Sequence, residues 1–179
     1  MNYLLSGGAK NGKSMLAQKI VKSMQPDRPI YYLATMIPHD EEDRARIARH
    51  LQDRDGWGFT TIECGKNILH ALDRADTSGA FLLDSVTALL ANEMFLADGR
   101  LDRAAPARVA DELAEFAART RYTVFVSDCI YADAGIYDEW TACYRAGLAL
   151  IDRRLAQVCG GVAELCAGNA LWYKGEWRG

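Results

Sequence analysis

The sequence has no apolar run near the roughly 18 residues that a membrane span requires, which argues against a membrane-crossing segment. Its cysteines, at 64, 129, 143, 159 and 166, form no CxxC pair and no zinc-ligand spacing. That argues against a zinc ribbon or a disulfide framework. Thiols scattered in this way are expected to be small buried hydrophobes in a reducing compartment. An excess of positive charge is missing too. The net charge is −3 and the isoelectric point about 5.6, without the basic footprint of a nucleic-acid binder. The opening stretch Met1–Ser6 meets glycine too soon to be a signal peptide, so a cytoplasmic protein is expected. Histidine is scarce, with only 3 residues, so each can be weighed singly.

The composition is that of an ordinary globular chain. Of 179 residues, 50% are hydrophobic and 25% charged, enough for one α/β domain over residues 1–179 and too few for two. Short apolar runs read as strands at Tyr3–Ser6, Ile30–Thr35, Phe59–Glu63, Ala80–Asp84, Thr123–Ser127, Val162–Cys166 and Ala170–Tyr173. Most do not alternate, which suits a sheet covered on both faces. Helical patterns fall between them at Lys13–Met24, Glu41–Arg54, Ala88–Leu96, Ala107–Arg119 and Ala142–Val158. This alternation predicts a three-layer α/β fold whose central sheet is mostly parallel. The last two strands lie close enough in sequence to form an antiparallel edge. Gly160-Gly161 and Asp98-Gly99 read as turns.

The segment Gly7-Gly8-Ala9-Lys10-Asn11-Gly12-Lys13-Ser14 satisfies GxxxxGK[ST] between a predicted strand and a predicted helix. In that setting the glycines let successive backbone N–H groups point at phosphate oxygens, and the helix N-terminus adds its positive dipole end. Lys13 is expected to reach the β- and γ-phosphates, and Ser14 to offer its hydroxyl to Mg²⁺. A P-loop also wants a carboxylate at the end of another buried strand. Asp84, after Phe81-Leu82-Leu83, has that form; it also reads as the cap of the following helix.

His50 falls on the predicted helix Glu41–Arg54, with Arg46 and Arg54 four residues away on either side. Two flanking cations disfavour protonation and leave a neutral, nucleophilic imidazole. Spacing alone reads more simply as a surface histidine in a solvated charged stripe. His39 and His70 have no comparable setting.

These residues resemble the bifunctional adenosylcobinamide kinase/adenosylcobinamide-phosphate guanylyltransferase family of cobalamin biosynthesis. The resemblance is carried by Leu4–Ser14, Tyr32-Leu33-Ala34-Thr35, Arg46-Ile47-Ala48-Arg49-His50, Gly56-Trp57 with Thr60–Glu63, and Leu82–Thr87 with Asn92. It implies a RecA-like P-loop NTPase fold and a homo-oligomer. It also implies two reactions, with ATP or GTP and a corrinoid as substrates. First a nucleoside triphosphate phosphorylates adenosylcobinamide. Then a histidine takes GMP from GTP and passes it to adenosylcobinamide phosphate, giving adenosyl-GDP-cobinamide. By position, His50 is the implied nucleophile. Gly7, Gly8, Ala9, Lys10, Asn11, Gly12, Lys13 and Ser14 would hold phosphates, and Ser14 and Asp84 would hold Mg²⁺. The guanine nucleotide would lie against Ala34, Thr35, Met36, Leu51, Gln52, Asp53, Arg54, Glu63 and Asp84.

The second half departs from the family pattern. An expected Asn-Glu pair reads Asp128-Cys129, and of a later Phe-Arg-Asp only Arg145 remains, followed by Asp152-Arg153 in place of Asn-Gln. Two other readings therefore stand beside the bifunctional enzyme: a small-molecule P-loop kinase without guanylyl transfer, and a nucleotide-binding regulatory relative without catalysis.

Overall fold

Strands that are apolar on both faces must be covered on both sides, and the chain meets that demand with seven strands between two layers of helix. The computed structural model describes residues 1–24, 27–38, 40–53 and 56–177, apart from the side chains at 46 and 49–53. In chain order the elements are β1 Tyr3–Gly7, α1 Lys13–Met24, β2 Ile30–Ala34, α2 Glu41–Asp53 and β3 Phe59–Glu63. A 3₁₀ segment, Ile68–Arg74, follows. Then come β4 Ala80–Asp84, α3 Val86–Met94, α4 Ala105–Arg119, β5 Thr123–Val126, α5 Glu139–Val158, β6 Gly161–Cys166 and β7 Asn169–Lys174. The sheet order is β3-β2-β4-β5-β1-β6-β7. Every neighbouring pair is parallel except β6 and β7, the antiparallel edge.

Side chains alternate across the sheet with the period of two that strands impose. Leu4, Leu33, Leu83 and Phe125 face α3, α4 and α5, where Leu89, Leu113, Phe116 and Ile151 close the larger core. Phe116 meets Phe81 edge-to-face at 5.4 Å, a favoured aromatic geometry. Leu5, Tyr32, Leu82 and Val124 face the other way, onto Ala17, Ile20 and Val21 of α1. Helix α2 is different. Its first turn is capped by Asp40, whose Oδ1 accepts from the N–H of Asp43 at 2.8 Å, yet none of its described side chains is buried.

Three helices begin earlier than the hydrophobic pattern predicts, because their starts are set by polar caps or proline. Ser85 caps α3 by accepting from the Ala88 N–H, and Asp138 caps α5 by accepting from Trp140 and Thr141. Pro106, in the first turn of α4, needs no N–H partner there. Gly161 opens β6 instead of forming a turn. The 3₁₀ segment has no counterpart among the predicted helices; His70 lies in it. The cysteines divide: Cys64 and Cys159 are buried, Cys129 and Cys143 half-buried, and Cys166 exposed at the end of β6. The expectation of buried thiols therefore holds at Cys64 and Cys159, only partly at Cys129 and Cys143, and fails at Cys166, where the strand runs out of the core into the turn.

Gly7 closes β1 with φ +146°, and an added Cβ would press into the Leu165 carbonyl of β6. Gly7→Ala is therefore expected to destabilise the chain by about 2 kcal/mol or more, through strain and overpacking against backbone. Urea unfolding measures this, and a loss below about 0.5 kcal/mol, the range of a neutral surface substitution, would refute the close approach.

Candidate functional site

Parallel register aligns the strand ends. Glu63 of β3 lies level with Ala34 of β2, Ala34 with Asp84 of β4, Asp84 with Val126 of β5, and Val126 with Leu5 of β1. At the usual spacing of about 4.8 Å between strands, Asp84 stands roughly 10 Å from β1, and Glu63 roughly twice that. The glycine-rich loop leaves β1 at this same carboxyl edge, where ligands of open α/β sheets collect.

The loop is bent as its motif requires. Lys10 has φ 59° and Gly12 φ 85°. Among the described residues, the N–H groups of Gly8, Ala9, Lys10, Asn11 and Gly12 have no protein acceptor. A row of free backbone donors at a helix N-terminus is suited to phosphate oxygens. Asn11 Oδ1 accepts from the Ala167 N–H at 3.0 Å, tying the loop to the β6–β7 turn. Ser14 is half-buried in the first turn of α1.

Lys13 is only 6% exposed, and its ammonium is fully engaged. Nζ donates to the carbonyls of Gly7 at 3.0 Å and Gly8 at 2.7 Å. It also pairs with Asp128 Oδ1 at 2.8 Å. An ammonium has three protons to donate, so all three are used. Asp128 follows β5, the strand that separates β1 from β4.

Asp84 is half-buried, and its Oδ2 accepts from the Tyr32 hydroxyl at 3.1 Å. Ser85, not Asp84, performs the helix cap, so the Asp84 carboxylate is free of that duty. Asp84 and Ser14 present hard oxygen donors of the kind Mg²⁺ takes. Thr35 is fully buried. Its hydroxyl accepts from the Ser85 N–H at 2.7 Å and donates to the Ser85 carbonyl at 2.8 Å. Asn92 donates to the Thr35 and Gly65 carbonyls, holding the ends of β2 and β3 together. Ala34 and Met36 are half-buried and Glu63 is exposed at this edge. The backbone of α2 includes positions 50–53, but the side chains of Arg46, His50, Leu51, Gln52 and Asp53 lie outside the described residues, as do His39 and Arg54 entirely.

A polar cluster that the motifs do not indicate lies beneath the P-loop. Asp152, 4% exposed, accepts at Oδ2 from Ser127 at 3.0 Å and Tyr131 at 2.8 Å. Its Oδ1 and the Ser6 hydroxyl are buried without a hydrogen-bond partner among the described residues. Burial pushes the Asp152 carboxyl up to about 6, against the pull of the Tyr131 and Ser127 hydroxyls. Burial and that carboxylate in turn push the Tyr131 phenol up. The sequence does hold one signal for this cluster: Asp152 falls on the helical face of Leu148, Ile151 and Leu155, where an acid is out of place.

A family model described as cobinamide kinase / cobinamide phosphate guanyltransferase matches residues 3–172. No curated protein matches the chain. Among solved structures, a KaiC-like protein from the hyperthermophilic archaeon Pyrococcus horikoshii is 15% identical with a TM-score of 0.50, covering 97% of this chain and 78% of its own. A second solved structure, an ATPase domain, is 10% identical at TM-score 0.50, covering 92% and 69%. A further Pyrococcus horikoshii protein is 11% identical at TM-score 0.55, covering 97% and 85%. These likenesses establish a RecA/KaiC-like P-loop fold.

The raised carboxyl of Asp152 has a stability consequence. Below about pH 4 the acid is neutral in both folded and unfolded chains. As pH rises from there to about 6, the unfolded chain ionises first and stability falls. Asp152→Asn keeps the acceptor for Ser127 and Tyr131 and removes the charge. It is expected to raise stability at pH 8 by about 1–3 kcal/mol, with the difference shrinking toward pH 4. Urea midpoints at several pH values test this, and a difference that does not vary with pH would refute it.

Proposed function

The chain belongs to the cobinamide kinase / cobinamide phosphate guanyltransferase family, and from that footing we propose that it carries out both reactions, phosphorylating adenosylcobinamide and transferring GMP from GTP through a guanylyl-histidine. The observation that carries this reading is the P-loop itself. Free backbone donors, a buried lysine and Asp84 on a nearby strand end converge on one edge of the sheet. Phosphoryl transfer needs little more from a protein than positioning and charge stabilisation.

In this reading Gly8–Gly12 hold phosphate oxygens and Lys13 turns from its own loop to the β- and γ-phosphates. Ser14 and Asp84 hold Mg²⁺, which on binding would neutralise charge on the phosphates. The edge farther along, at Ala34, Met36 and Glu63, takes the guanine nucleotide, and by family position Leu51, Gln52, Asp53 and Arg54 contribute to the same site. Thr35 acts there by fixing the turn after Asp84, since its hydroxyl is committed to Ser85. His50 attacks the α-phosphorus of GTP. A P–N bond forms, the bond to the α,β-bridging oxygen breaks, and pyrophosphate departs. The corrinoid phosphate then displaces the imidazole, leaving with GMP attached. A covalent intermediate of this kind divides one difficult transfer into two easier ones.

The test is direct. Incubation with Mg²⁺ and GTP labelled at the α-phosphate, followed by denaturation, is expected to leave covalent label that is acid-labile and base-stable. His50→Ala is expected to take none. A wild-type chain that never labels would refute guanylyl transfer, and a labelled His50→Ala would refute the nucleophile. Lys13→Ala is expected to lower phosphorylation of adenosylcobinamide by about 100-fold or more, the scale of losing one electrostatic contact to the transition state.

A further inference from the structure

We propose that Asp128 is the proton acceptor for the hydroxyl that receives the γ-phosphoryl group, freed for that task when the nucleotide draws Lys13 away. This rests on the phosphorylation reading above and adds a residue to it. Asp128 lies just beyond Val126, whose level is shared by Leu5 on one side and Asp84 on the other. Its backbone is fixed. Its N–H donates to Thr87 Oγ1 at 2.9 Å. On either side, Ser127 donates to the Leu5 carbonyl at 2.9 Å and Cys129 to the Gly7 carbonyl at 3.0 Å. The carboxylate itself is 32% exposed, and among the described residues its Oδ2 accepts no hydrogen bond.

The exchange follows from counting donors. All three protons of Lys13 are committed, one of them toward Asp128, so the lysine reaches phosphate only by giving up a partner. A triphosphate carries several negative charges against the single charge of Asp128, and it prevails. Asp128 is then a held carboxylate with both oxygens free, beside the phosphate site. Cys129 does not compete for the role, because burial pushes its thiol up and keeps it neutral. The acceptor has a surface to rest on. The Tyr144 hydroxyl donates to the Thr87 carbonyl at 2.8 Å, and Tyr144 borders Phe95, with ring centroids 5.5 Å apart. Phe95 in turn stacks at 6.3 Å on Trp140. Phe95 and Trp140 are exposed, so this apolar surface is open to a bulky, flat molecule next to the residue that holds Asp128.

In the step, the acceptor O–H bond breaks and its proton passes to Asp128 Oδ2. The acceptor oxygen bonds to the γ-phosphorus. The bond to the β,γ-bridging oxygen breaks, and its electron pair leaves with the nucleoside diphosphate. Losing a positioned general base costs about 10²–10⁴ in rate. The experiment compares wild type and Asp128→Asn for phosphorylation of adenosylcobinamide and for ATP binding by fluorescent-analogue displacement. The expected result is a kcat at least about 100-fold lower, with ATP bound as tightly as by wild type or more so. An unchanged kcat would overturn the assignment, and so would parallel loss of kcat and ATP binding, the mark of a structural role. A wild-type chain that binds ATP but never phosphorylates adenosylcobinamide would overturn both this inference and the reading beneath it.

Discussion

Strand β1 has no side open to water. Leu4 is packed under the α3–α5 layer, Leu5 under α1, and both polar edges are filled by β5 and β6. A chain so enclosed has only one way out, past its carboxyl end. Gly7 ends the strand and Gly8 follows it, and groups outside the strands meet their carbonyls. Gly7 O accepts from Cys129 N–H and from Lys13, and among the described residues Gly8 O accepts from Lys13 alone. The burial of one strand thus decides where the phosphate loop begins, which lysine closes it, and which segment runs beside it.

Three carboxylates near this edge show how environment divides one functional group into separate duties. Asp84 is partly open and steadied by one phenol, a setting that leaves oxygens free for a cation. Asp128 is ion-paired to Lys13 and fixed through its backbone. Asp152 is enclosed, and burial raises its carboxyl toward neutrality.

Much of this architecture can be read from the sequence. Unbroken apolar runs gave β1, β2, β4 and β5, because burial on both faces leaves no room for polar alternation, whereas β6 alternates and the edge strands β3 and β7 are largely exposed. The GxxxxGK[ST] pattern located the loop, since its two glycines, Gly7 and Gly12, take positive-φ backbone angles that suit glycine best. Helix starts were less legible: a cap such as Ser85 or Asp138 lies outside the hydrophobic period that marks the helix body. The 3₁₀ segment at Ile68–Arg74 was not legible either, being too short to display a period. The pairing of Lys13 with Asp128 joins residues more than a hundred positions apart and depends on β5 lying next to β1. No local pattern encodes that adjacency. The Asp152 cluster is similar, apart from the anomaly of an acid on an apolar helical stripe.

The β6–β7 edge touches the phosphate loop at two points, the Leu165 carbonyl against Gly7 and the Ala167 N–H on Asn11. Both are main-chain groups on the hairpin side. Substitution at 165 or 167 leaves them in place, whereas an insertion or deletion there moves them. The hairpin is thus free to drift in residue identity while its length is held, so selection on this edge would be visible in the spacing of homologous sequences and not in their letters.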